Sequence, residues 1–296
     1  MAEIDEQPPA PVVGGAPREI AEGVHVVPDL RVPLVPNVGL VEGRDRLLVV
    51  DTGMGPGNGA RVRAFADELA DGRELVLTLT HFHPEHGFGA QAFRDATIVY
   101  NAAQLEELHE KGQAYVGMFR TFGEAVAEQL EGVELVDPDE TYAGDSHELD
   151  LGGRIAELRT WGLAHTRGDQ VVWLPEESIL FAGDLVEERC FPIFPYFPPD
   201  DADVDGERWL RVLEQLEALE PEIVVPGHGD VGDSSLIATV REFITLLRDE
   251  TRARSAAGVG VEEAVAQLDE ELRALHPDWV QPEWIAFGVR HFHDRA

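Results

Sequence analysis

Cysteine is all but missing from this chain. Cys190 is the only one in 296 residues, so no internal disulfide can form and no cysteine-built zinc cage is available. Lysine is as scarce, with Lys111 alone. Basic residues total 23 against 57 acidic ones, a net charge of −34. Such a charge argues against nucleic acid or an anionic membrane surface as partner, since both need a basic face. No apolar run approaches the roughly 18–20 residues of a membrane-spanning helix. The opening MAEIDEQPPAPVVGG lacks the basic and apolar regions of a secretory signal, and the expectation is cytoplasmic residence. What is not missing is apolar content: at 44% it is that of a globular chain, which excludes general disorder. The length suffices to bury a core in one large domain or two small ones.

Composition shifts divide the chain into three parts. Residues 1–18, rich in Pro, Gly and Ala, read as a flexible lead-in. Residues 19–258 read as the main domain. Residues 259–296 read as a helical appendage packed on it. Within the main domain, Gly23–Val27, Val38–Val41 and Leu47–Val50 are β-type segments separated by turn signals such as Glu42-Gly43-Arg44-Asp45. Ala60–Ala70 looks helical, and Leu75–Thr80 and Thr97–Tyr100 read as strands. Gln104–Leu130 carries one apolar helical face, broken near Gly112 or Gly117. The second half repeats the pattern: strands at Ile155–Thr160, Gln170–Leu174, Ser178–Phe181 and Ile223–Val225, helices at Trp209–Leu219 and Leu236–Arg252, and a helical tail at Val261–Leu275. Sheets covered by helices follow from such an order.

The chemistry concentrates in Thr80-His81-Phe82-His83-Pro84-Glu85-His86-Gly87. Residues two apart on an extended chain point the same way, so His81 and His83 can reach one ion together. Pro84 suits the first position of a helix and biases His83 toward an extended conformation. Glu85 and His86 then fall in the first helical turn and face elsewhere. The donors separate into two sets, fit for two adjacent metals, and imidazole with carboxylate suits zinc or iron. Three more donors follow at strand ends beside glycine: His165 in Gly162-Leu163-Ala164-His165-Thr166-Arg167-Gly168-Asp169, Asp184 in Ala182-Gly183-Asp184-Leu185, and His228 in Pro226-Gly227-His228-Gly229. Singly, each reads as a turn aspartate or a capping histidine. In order and all at strand ends, they point to one site.

On Val50-Asp51-Thr52-Gly53, the His81–His86 block, His165, Asp184 and His228, the sequence resembles the metallo-β-lactamase-fold superfamily of hydrolases over about residues 20 to 250. The resemblance implies an α/β fold, an αββα sandwich of two mixed β-sheets with helices on the outer faces. It implies two zinc ions per chain. His81, His83 and His165 would hold the first, Glu85, His86 and His228 the second, with Asp184 bridging and Asp51 behind the ligands. Glu85 and Asp184 would carry the catalytic duties. The family's block has aspartate where this chain has Glu85. The extra methylene moves the oxygen roughly 1.5 Å further out, so the second ion is shifted, weakened or absent.

The implied reaction is hydrolysis of an ester, thioester or lactone carbonyl, with a small-molecule substrate as partner. The run Cys190-Phe191-Pro192-Ile193-Phe194-Pro195-Tyr196-Phe197-Pro198-Pro199 reads either as a wall for a bulky apolar or aromatic substrate or as packing or a homodimer contact. The Tyr115/Phe119/Phe122 stripe reads first as core. The stretch from Ala164 to Asp184 looks like cyclase/thioesterase members that act on aromatic polyketides. Glyoxalase-II-like members use basic residues near the C-terminus, and Arg248, Arg252, Arg254, Arg273 and Arg290 here read as solvated helix surface. Three rivals remain. A single iron on His83, His165 and Asp184 would make a persulfide-dioxygenase-like enzyme. Gly55-Pro56-Gly57-Asn58-Gly59-Ala60 loosely matches a dinucleotide loop, without the acidic residue expected after the next strand. A decayed, non-catalytic member would rest on Glu85 alone. Cys190 has no histidine near it in sequence, and His291 and His293 read as a frayed tail.

Overall fold

The structure is a computed structural model that describes residues 9–295. In chain order the elements are β1 (Arg18–Ala21), β2 (Val24–Val27), β3 (Val38–Glu42), β4 (Arg46–Val50), α1 (Gly55–Ala70), β5 (Glu74–Thr78), α2 (Pro84–Gly87), β6 (Thr97–Asn101), α3 (Ala102–Phe119), α4 (Glu124–Gln129) and β7 (Glu140–Tyr142). Then come β8 (Ser146–Asp150), β9 (Ile155–Arg159), β10 (Val171–Leu174), β11 (Ile179–Gly183), α5 (Gly206–Glu217), β12 (Ile223–Pro226), α6 (Ser235–Ala256), α7 (Val261–Leu275) and α8 (Glu283–His293). The chain divides into two compact units. One runs to Tyr100 and takes in Leu105–Thr141, and the other comprises Asn101–Gln104 and the described residues from Tyr142 on.

The first unit is built on a seven-stranded sheet in the order β1 to β7. Strands β1 to β4 are antiparallel neighbours, while β4–β5 and β5–β6 are parallel. Parallel strands need cover on both faces, which is why Leu47–Val50 and Leu75–Thr78 are near-continuous apolar runs. Val62, Ala66 and Ala70 of α1 and Leu108, Tyr115 and Phe119 of α3 join that core. The glycines at the start of α1 serve close packing. A Cβ on Gly59 would meet the Gly89 carbonyl oxygen at 2.2 Å, and one on Gly55 would meet that of Gln129 at 1.9 Å. That contact explains the glycine run that the dinucleotide reading used.

The second unit carries a five-stranded sheet in the order β12-β11-β10-β9-β8, antiparallel except for the parallel pair β11–β12. Its core joins Val171, Leu180 and Val224 of the sheet to Leu213 of α5, Ile244 of α6, Leu268 of α7 and Val289 of α8. Two mixed sheets with helices are therefore present, as expected.

Several local readings are corrected. The long helical segment breaks at Gly123, with φ +138°, and runs through Gly112 and Gly117. Glycine inside a helix costs only about 1 kcal/mol, whereas a positive φ ends it. Strands β1, β7 and β8 escaped the pattern because they are short or polar. Residues 1–8 of the expected lead-in lie outside the described residues. Val13, though, is buried, its N–H donating to Asn58 Oδ1 at 2.8 Å, so packing reaches closer to the N-terminus than composition indicates. Helix α8 replaces the frayed tail: His291 is fully buried, because Ile285, Val289 and Phe292 form an apolar helical face. Among the described residues, no helix is long and apolar enough to cross a membrane.

Candidate functional site

In the first unit the donors leave the C-terminal end of β5. His81 and His83 lie on the extended link to α2, and His83 is the residue before its first turn. Pro84 starts that turn, and Glu85 and His86 sit within it, as the sequence indicates. All four are buried. His81 Nε2 and His83 Nδ1 approach to 3.1 Å. Two nitrogens bound to one tetrahedral zinc at 2.0–2.1 Å lie about 3.3 Å apart, so the pair fits one ion. Glu85 and His86 offer a second pair, with ligand atoms within 4.8 Å of each other.

Asp51 organises this set from behind. It follows β4 with φ +68°. Its Oδ1 accepts from Thr80 N at 2.7 Å, and its Oδ2 accepts from Thr80 Oγ1 at 2.9 Å and from His86 Nδ1 at 2.8 Å. A histidine whose Nδ1–H is donated to a carboxylate presents the lone pair of Nε2, the form a metal needs. Thr80 was not singled out by sequence, yet its hydroxyl also lies 3.1 Å from His81 Nδ1. The charge of Asp51 and, above all, burial push the phenol of Tyr100 above its usual range, so it stays protonated. Tyr115 stacks on His83 with centroids 5.3 Å apart and planes at 19°, so part of the expected core stripe backs a donor. Phe119 is buried and Phe122 is 50% exposed. The sole lysine, Lys111, pairs with buried Glu107 at 3.0 Å.

In the second unit Asp184 lies between two histidines. Its Oδ2 is 3.8 Å from His165 Nε2 and its Oδ1 is 3.7 Å from His228 Nε2. A carboxylate with each oxygen turned to a different imidazole suits a bridge between two ions. Gly183, with φ +54°, ends β11 just before it. Gly227 cannot carry a side chain, because a Cβ there would stand 2.0 Å from Asp184 Oδ1. His228 lies just beyond the end of β12, after Gly227.

His165 is held on two sides. Asp169 accepts from His165 N at 2.7 Å and from Thr166 N and Oγ1 at 2.9 and 2.6 Å. His165 Nδ1 donates to the Ile193 carbonyl at 2.8 Å, which leaves Nε2 toward Asp184. The Phe191–Tyr196 segment thus acts on the site through its backbone. Phe191 and Phe194 are interior, which decides the two readings of that segment in favour of packing for those residues. Asp169 closes the loop that begins at Gly162, and its four-residue spacing from His165 was the available signal. Nothing local in the sequence marks Ile193.

The family model of the metallo-β-lactamase superfamily matches residues 31–228, two thirds of the chain. A metallo-β-lactamase type 2 of Bacteroides fragilis is 32% identical over 109 residues, 36% of this chain and 42% of that protein. The acyl-coenzyme A thioesterase MBLAC2 of Homo sapiens is 27% identical over 65% of this chain and 72% of its own length. Among solved structures, a sec-alkylsulfatase from a Pseudomonas species superposes with a TM-score of 0.74 at 15% identity, covering 95% of this chain and 50% of that one. The fold is the metallo-β-lactamase fold. Against three of its curated relatives the chain spans 42%, 49% and 51% of their length, about half.

Proposed function

The chain belongs to the metallo-β-lactamase superfamily, and from that premise we propose that it is a metal-dependent hydrolase of ester or thioester carbonyls. In this reading His81, His83 and His165 hold one zinc, Glu85, His86 and His228 hold a second, and Asp184 serves both. Such ions, when bound, would supply a water activated near neutral pH and a Lewis acid for the carbonyl. The chain's own residues do the rest. Asp51 fixes the tautomer of His86, and the Ile193 carbonyl fixes that of His165. Glu85, buried beside His86, is suited to pass a proton to the departing oxygen or sulfur. Tyr115, stacked on His83, steadies the orientation of its ring. No serine or cysteine nucleophile is required.

The observation that carries this reading is the 3.1 Å approach of His81 Nε2 to His83 Nδ1 in a buried pocket of donors. The substrate is a small molecule with an apolar acyl or aromatic part. The thioesterase relative supports this. A net charge of −34 disfavours polyanions.

Elemental analysis of the purified protein, paired with a panel of acyl thioesters and aryl esters, tests the reading. Two zinc ions and their loss with activity in His81→Ala are expected. One iron in place of two zinc ions, or full activity after verified metal loss, refutes it.

A further inference from the structure

Two of the supports of His165 lead to the same element, α8. On the ring side, Ile193 accepts its Nδ1–H. Phe194, the next residue, packs against His291 and Phe292 of α8 at 5.5 and 5.7 Å. On the backbone side, the Ala164 carbonyl accepts from Asp205 N at 2.8 Å. The following N–H, of Gly206, donates to His291 Nε2 at 3.0 Å. One turn into α5, Trp209 sets its ring at 5.5 Å and 67° to His165.

The Gly206 N–H is the kind of buried first-turn donor that has no partner within its own helix. The Asp205 side chain is turned instead to Arg208 N, from which it accepts at 3.0 Å. His291 supplies the acceptor from 85 residues away. Gly206 is fitted to this contact: a Cβ there would meet the Phe292 ring at 2.3 Å.

We propose that α8 is a positioning element of the metal site, and that His291 Nε2, by accepting the Gly206 N–H, fixes the Asp205–Ala164 link that sets the imidazole of His165. The proposal rests on the reading of His165 as a metal ligand. Burial, aided by the charge of Arg295, holds the His291 pKa at about 3, so the ring is neutral at neutral pH and has one accepting nitrogen. Nδ1 faces Arg295 Nη1 at 2.8 Å, on a partly exposed side chain that can turn away, whereas the buried Gly206 N–H at Nε2 cannot, so the proposal places the lone pair on Nε2. His291 touches neither metal nor substrate in this scheme and acts only through the start of α5.

Zinc affinity, read by competition with a chromophoric chelator, tests it in the full chain. His291→Leu keeps bulk and loses the acceptor, and should weaken zinc binding about tenfold, the lower end of what outer-shell changes cost. His291→Asn restores an acceptor and should return affinity to within about threefold of the starting protein, which a purely space-filling role would not produce. Amide hydrogen exchange of the unaltered chain adds a readout that needs no variant. Zinc should slow exchange at Gly206 and along residues 285–293, because coupling between sites is reciprocal. A folded His291→Leu with unchanged affinity, an Asn variant no better than Leu, or zinc protection that stops at residues 81–86 overturns the proposal. If the unaltered chain takes up no zinc, or takes it up regardless of His165→Ala, the reading beneath it fails as well.

Discussion

Replacing Asp51 by asparagine changes one atom and should remove an ion. The side chain is buried and its two oxygens accept three hydrogen bonds, two at Oδ2 and one at Oδ1. Asparagine offers one oxygen and one NH2, and each orientation creates a conflict. With the NH2 toward Thr80 N, two donors face each other in the interior, at about 1–3 kcal/mol for the unsatisfied group. With the NH2 toward His86 Nδ1, the imidazole relieves the conflict by moving its proton to Nε2. The second arrangement is the cheaper, and it withdraws the lone pair of Nε2. The backbone does not oppose the change, since asparagine tolerates the φ of +68° at this position. Charge-assisted bonds become neutral ones, so stability should fall by about 1–2 kcal/mol. Affinity for the ion on His86 should fall roughly 10–100-fold, while the ion on His81 and His83 stays. Nitrogen-15 shifts of His86 report the tautomer, and zinc titration with elemental analysis reports the ions. An Asp51→Asn protein that keeps Nδ1–H on His86, or binds both zinc ions with unchanged affinity, would refute the reasoning.

Gly227→Ala drives a methyl into Asp184 Oδ1 at 2.0 Å. It should destabilise the fold by about 1–3 kcal/mol and lower zinc content, and a melt with wild-type Tm and full metal content would contradict it. Chelation of a folded sample should lower its stability by about 2.7 kcal/mol relative to zinc at a hundredfold excess over Kd, read as the shift in urea midpoint with and without chelator. Leu213→Ala, in the core of the second unit, should cost about 2–5 kcal/mol while leaving zinc stoichiometry intact at low temperature, and loss of zinc from the folded variant would count against a purely packing role. Acid should act through His291, whose folded pKa of about 3 lies below its ordinary 6.5. Between those values the unfolded chain binds a proton that the folded chain refuses. Stability is therefore undiminished above about pH 6.5 and falls as pH drops toward 3, by at most about 5 kcal/mol. Urea midpoints from pH 8 to 4 should slope less in His291→Asn than in the parent, and equal slopes would contradict this.

What was legible in the sequence was what local geometry determines. The His81–Glu85–His86 block announced two donor sets because an extended link and a proline-started turn point side chains in different directions, and the turn begins at Pro84 as expected. The strands carrying Asp184 and His228 were legible because strands beside parallel neighbours are apolar throughout. Edge strands β1 and β8 were not, since one solvated edge relaxes the apolar requirement. The helix break at Gly123 was missed for a different reason. Composition shows that a glycine is present, while only tertiary context decides whether it adopts a positive φ.

The largest miss, α8, joins the fold to the site. Its sequence has an apolar helical face, but Gly288 and clustered aromatics hide it, and nothing local ties it to His165. Gly288 is needed there because a Cβ would press on Leu247 at 2.6 Å and on Phe194 at 3.2 Å. The feature that obscured the helix is thus the one that lets it approach the segment holding His165. Donors set by one turn of chain can be read from a single stretch of sequence. Donors steadied by groups 28 and 85 residues apart, as in the Ile193–His165 and His291–Gly206 bonds, become visible only when those stretches are folded together. For that reason Asp51, 35 residues from His86, could be placed behind its ligand only through resemblance to a family, whereas its hydrogen bonds now give the reason.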